Sequence, residues 1–157
     1  VSDSNVVSMD EVSAKRKATA DDKPQTLTQF LLDNPQTNIT SDVYVSQRFK
    51  DAGYKFTISA MTGEQFSAYQ REAIAMGRNK KINFDTKRFN ELVAINHTVE
   101  PNFRDADTLK KANCTLPEQF LYRSLRAGEI TELVERITTL SGFDADTDSL
   151  ADDVKNF

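Results

Sequence analysis

Between Val43 and Gly77 two signals of different period follow one another without a gap, and together they confine the chain to a mixed fold. Val43-Tyr-Val-Ser-Gln-Arg-Phe49 alternates apolar and polar residues as a strand does. Lys50-Asp-Ala-Gly53 reads as a turn and Tyr54-Lys-Phe-Thr-Ile58 alternates again, so the block opens as a β-hairpin. A helix then starts at once. Thr62 and Gln65 have capping-box spacing, Met61 and Phe66 that of a hydrophobic staple, and Phe66, Tyr69, Ala73 and Met76 recur at the helical period. A lone hairpin is marginal in water, so helices must cover one of its faces.

The rest of the chain supplies those helices. Thr26 and Gln29 suit a capping box before Leu27, Phe30 and Leu31, in a short helix stopped at Asn34-Pro35. Asp85 caps a third helix, with Phe84 and Phe89 as its staple and Leu92 and Val93 on its apolar face. A short turn of helix fits Asp105 to Ala112. Thr115-Leu-Pro-Glu118 starts a helix carrying Phe120, Leu121 and Leu125, interrupted at Ala127-Gly128. From about Glu129 to Ser141 a last helix lines up Ile130, Leu133, Val134 and Ile137 as a core stripe. Gly142 sits where a left-handed cap is wanted, and Phe143 is placed to fold back onto Ile137.

The predicted fold class is therefore α+β: a predominantly helical small domain with one β-hairpin packed by about four helices. At 157 residues and 38% hydrophobic content there is material for a single modest core. Residues 1–25 lack apolar periodicity and are expected to be disordered or loosely ordered, leaving 26–143 as the domain and 144–157 as an acidic tail. The tail holds five Asp against Lys155 and accounts for the whole net charge of −4. A neutral body gives no electrostatic case for nucleic-acid binding. No apolar run approaches the ~20 residues that cross a bilayer. A polar, charged start argues against export, and a lone Cys114 agrees with a reducing compartment.

Chemistry-bearing motifs are scarce, and each has a simpler reading. Asp144, Asp146, Asp148 and Asp152 follow the spacing of a calcium-binding loop, but Ser149 and Lys155 stand where that loop needs Gly and a bidentate Glu. A solvated acidic tail is the better account. Three N-x-Thr sequons at Asn38, Asn96 and Asn113 matter only in a secreted chain. His97 has no companion His or Cys for a metal and reads as a last-turn residue that suits the helix dipole when charged. Cys114 has one His to draw on and reads as a structural thiol. Arg78, Lys80, Lys81, Lys87 and Arg88 surround Phe84, but Asp85 breaks the cluster, which reads as a solvated loop. No catalytic, cofactor-binding or metal-binding residue is assigned.

In their order and spacing, several segments resemble the XkdN-like tail assembly chaperones of tailed bacteriophages and prophages. They are Leu27-Thr-Gln-Phe-Leu31, Val45-Ser-Gln-Arg-Phe-Lys-Asp51 and Phe56-Thr-Ile-Ser-Ala-Met-Thr-Gly-Glu64. Phe84-Asp85, Pro101-Asn102 with Asp105, Leu125-Arg-Ala-Gly-Glu129 and Leu140-Ser-Gly-Phe-Asp144 complete the set, and residues 1–25 fall outside it. The resemblance implies a protein without catalysis that binds the tape-measure protein in the host cytoplasm and keeps it soluble. Such a protein helps bring tail-tube subunits to it and leaves before the mature virion forms. It also implies that a frameshifted longer product would join after Phe143, and it leaves room for self-association. Leu27, Phe30 and Leu31, set apart behind Pro35, are then the expected partner-binding residues. Two other readings compete: a minor tail or connector protein retained in the virion, and a small nucleic-acid-binding regulator using residues 78–88.

Overall fold

Helix and strand signals that act over three to five residues decide most of this architecture. The structure, a computed structural model, describes residues 26–76 and 81–143. The calcium-like spacing of the tail, the N-terminal extension, Arg78 and Lys80 lie outside the described residues. The chain divides between Gln36 and Thr37 into two units.

The first unit contributes helix α1 (Leu27–Asp33). Thr26 caps it by accepting a hydrogen bond from the Gln29 amide at 3.0 Å. The Gln29 side chain turns forward to Asp33 at 2.9 Å instead of closing a capping box. The Asn34 side chain donates to the Phe30 carbonyl at 2.8 Å and ends the helix before Pro35. None of the residues of α1 is buried.

The second unit is a small antiparallel sheet with helices packed on it. β1 (Thr40–Val43) pairs with β2 (Phe56–Ser59), from Thr40 opposite Ser59 to Val43 opposite Phe56, and β2 pairs in turn with β5 (Thr98–Glu100). The order is β1-β2-β5. The α+β class and the antiparallel pair stand as expected, but the first strand lies earlier than its alternation indicates. Gln47–Ala52 is helix α2. The sequence Gln-Arg-Phe-Lys-Asp-Ala holds no β-branched residue, and Gly53 closes the helix at φ 81, a left-handed cap that glycine adopts without a Cβ penalty. What looks like a two-residue period at Val45, Gln47 and Phe49 is one turn of helix placing Val45 and Phe49 against the core.

α3 (Gly63–Ala73) has the capping box in full, with Gln65 N–H to Thr62 Oγ1 at 3.2 Å and Thr62 N–H to Gln65 Oε1 at 2.9 Å. It ends at Ala73, three residues before Met76. Ile74–Met76 turns instead into β3, paired with β4 (Ile82–Phe84), and the Asp85 amide returns to the Ala73 carbonyl at 2.7 Å. α4 (Thr86–His97) follows, capped by Asp85, with Phe84 stapled to Phe89 at 5.5 Å between ring centroids.

α5 (Ala106–Lys111) is capped by Asp105. α6 (Pro117–Ser124) starts with Pro in its first turn, but Gln119 and not Glu118 satisfies the entry, accepting from the Thr115 and Leu116 amides at 2.8 and 3.2 Å. α7 (Ala127–Leu140) begins two residues before its expected start, with Gly128 inside its first turn. Its end is a Schellman cap: Gly142 at φ 98, the Gly142 amide to the Thr139 carbonyl at 3.1 Å and the Phe143 amide to the Thr138 carbonyl at 3.2 Å. Phe143 packs on Phe66, centroids 4.9 Å apart, rather than on Ile137. Ile137 is fully buried in the core with Leu133, Val93, Ile58, Leu121 and Phe103.

Candidate functional site

Two of the segments singled out by resemblance meet at one side chain. Glu129, in the first turn of α7, is buried and accepts Arg48 Nε at 2.6 Å and Arg48 Nη2 at 2.8 Å, a two-pronged pair. Ser46 Oγ donates to it at 2.6 Å and the Arg126 amide at 2.7 Å. Arg48 also donates to the Ser124 carbonyl at 3.1 Å, so one guanidinium ties α2 to the α6–α7 corner. Hydrogen bonds from Arg48, then from Ser46 and the Arg126 amide, outweigh burial and hold the Glu129 carboxyl at about 2. A second pair of segments meets where the Met61 amide donates to Ser141 Oγ at 2.8 Å and Phe143 stacks on Phe66. The resemblance is thus written largely in residues that clasp distant elements together.

A second network centres on Arg88. Its guanidinium reaches Glu72 at 2.9 Å, Glu118 at 3.1 Å and Glu91 at 3.4 Å, joining α3, α4 and α6. Glu91 also accepts the Tyr122 hydroxyl at 2.7 Å. Burial, reinforced by that carboxylate, pushes the Tyr122 phenol well above its ordinary range. Arg88 is committed to carboxylates and adds no free charge to the basic cluster read around Phe84.

His97 closes α4 as expected but is not a charged dipole partner. It is buried, with Nε2 2.7 Å from the Tyr69 hydroxyl and Nδ1 3.2 Å from Ser59 Oγ. Burial, with Arg104 nearby, lowers its pKa, and the neutral ring bridges β2 and α3. The Ser59–His97 contact went unread in the sequence because the two residues are 38 apart. No orienting carboxylate accompanies it, and the ring lies inside the core. Cys114 is buried, as a structural thiol should be. Asn38 and Asn113, two of the sequon residues, take left-handed conformations at φ 59 and 56, where Asn is the usual alternative to Gly. Among the described residues no set of three or more His, Cys, Asp or Glu side chains is grouped to hold a metal, and no helix is long and apolar enough to cross a membrane.

The expected partner residues stand apart from these networks. Leu27 is 74% exposed, Phe30 47% and Leu31 60%. Leu32 beside them is exposed too. A second exposed apolar group comprises Ile74, Ile82 and Phe84 of the β3–β4 ribbon, which the sequence reading did not separate from the helix before it. A cavity of about 450 Å³ lies between α4, α6 and α7, lined by Lys87, Asn90, Tyr122, Leu125, Ala127 and Ile130.

The model of the phage XkdN-like tail assembly chaperone family matches residues 27–155. The chain belongs to that family. Among curated proteins it is 26% identical over 122 residues to the Phage-like element PBSX protein XkdN of Bacillus subtilis, an alignment covering 73% of this chain and 82% of that protein. It is 27% identical over 123 residues to the uncharacterized protein YqbN of the same organism, covering 73% and 83%. The crystal structure of YqbN superposes with a TM-score of 0.56 at 24% identity, covering 78% of this chain and all of that one, and so shares the fold. The family match takes in α1, every element of the second unit and most of the acidic tail. In this tail assembly chaperone the clasps at Glu129 and Ser141 hold the fold, and the exposed apolar groups are left for partners.

Proposed function

We propose that this chain binds the tape-measure protein during phage tail assembly, keeps it soluble in the host cytoplasm and helps recruit tail-tube subunits, acting without catalysis and leaving before the virion is complete. The observation that carries the reading is α1. A capped helix with Leu27, Phe30 and Leu31 all exposed has no stability reason to keep three large apolar residues in water, but it suits a client that displays apolar stripes of its own. Family membership supplies the tail-assembly context. In this reading residues 26–143 are the chaperone domain, flanked by an extension at 1–25 and an acidic tail at 144–157.

Co-expression with the tape-measure protein encoded in the same genome tests it. The client should become soluble and co-purify, and Phe30→Ser with Leu31→Ser should weaken that capture by about tenfold while the circular dichroism melt is unchanged. A client that stays insoluble beside a well-folded chain would remove the proposal. Recovery of the chain in purified particles would favour a structural tail or connector component instead.

A further inference from the structure

We propose that the cavity between α4, α6 and α7 is a second contact site for the same client, taking an apolar side chain that has a carboxylate beside it on a helix. The site is inferred from its own chemistry; the identity of the protein presenting the helix rests on the chaperone reading above. The floor is Leu125 and Ile130, both buried, and the side walls are Ala127 and the Tyr122 ring. At about 450 Å³ it falls among cavities that accept small apolar groups.

The polar parts converge on one sign of charge. Lys87 Nζ lies 5.2 Å from the Tyr122 ring centroid and forms no ion pair among the described residues. Asn90 adds an amide at the rim. The nearby carboxylates are already spent, Glu91 on Tyr122 and Arg88, and Glu118 on Arg88. An occupant therefore meets apolar surface below and an uncompensated ammonium above. A helix answers both at once, because an acidic residue three or four positions from an apolar one projects from the same face. The network behind the wall adds rigidity. Tyr122 is held through its hydroxyl by Glu91, and Arg88 braces Glu91 against α3 and α6, so the ring is fixed before anything binds.

Two variants and one probe test this. Ala127 is exposed at the first position of α7, and Ala127→Phe fills the cavity from the rim. It should weaken client capture by about tenfold. Lys87→Glu should weaken it by about fivefold, with the deficit largest at low salt. Both should melt within about 2 °C of the unaltered protein. If the unaltered protein captures the client and both folded variants capture it equally well, the site is overturned while the chaperone reading stands. The third arm needs no client. Millimolar N-acetyl-phenylalanine, an apolar ring with a carboxylate, should shift the NMR methyl signals of Leu125 and Ile130 in the full chain, and Ala127→Phe should abolish the shifts. Absence of shifts in the unaltered protein rejects the cavity as a site, whatever the client does. Shifts without client capture keep the cavity and reject the proposed partner.

Discussion

Helices α1 and α7 carry similar sequence signals and have opposite fates. Both are amphipathic and have well-marked ends, and each presents branched apolar residues three and four apart. Yet α7 buries Ile130, Leu133 and Ile137, whereas α1 buries nothing. The difference lies in length and in what else is attached. Fourteen residues span four turns and lie across the whole core, and the first turn is fastened through Glu129 and the end through Ser141. Seven residues make two turns, too short to be stable alone in water, with Pro35 directly behind them. Periodicity says that an apolar face exists; it does not say whether the face meets the protein's own core or another molecule.

The contrast can be broken by experiment. Leu133→Ala removes a fully buried side chain from α7 and should cost about 3 kcal/mol in urea unfolding. A loss under about 1 kcal/mol would mean that α7 is not the core helix.

Glu129→Gln should come next in size at pH 7, because it leaves Arg48 without its carboxylate. Its effect depends on pH with a defined sign. The folded carboxyl titrates at about 2 and the unfolded one near 4.5, so the unfolded state binds more protons between these values. The stabilisation is complete above about pH 5 and drains away as pH falls toward 2. The gap between the unaltered protein and Glu129→Gln should therefore close on acidification, and a pH-independent gap would reassign the role of the ion pair.

Gly142→Ala forces a side chain into a left-handed cap and should cost about 1 kcal/mol. Smallest of all, Leu31→Ser in α1 should change stability by less than about 0.5 kcal/mol. A larger loss would place Leu31 in a core and end the comparison.

Which features were legible follows from the range of the forces behind them. The Thr62–Gln65 box, the caps at Asp85 and Asp105, the Phe84–Phe89 staple and the Gly142 terminus are all decided within five residues, and all could be read. The core stripe of α7 and the exposure of α1 were readable from period and from Pro35. Helix α2 was missed because its short length lets one helical turn pass for strand alternation. β5 and the β3–β4 ribbon were missed because three-residue strands exist only through their partners. The Arg48–Glu129 clasp, the His97 bridge and the Lys87–Tyr122 rim join residues far apart in the chain, and no local pattern marks them. The Gly53 and Gly142 caps were visible as glycines, but only the second was read as a helix end.

The clasp at Glu129 also sets an order of events during synthesis. Arg48 leaves the ribosome 81 residues before its partner, and the floor on which Val45 and Phe56 rest is completed only by α7. Until then a nascent chain holds a sheet with one side uncovered, so fragments that stop short of α7 should be insoluble or rapidly degraded. A protein proposed to shield the apolar faces of another must first wait, unshielded, for its own last helix.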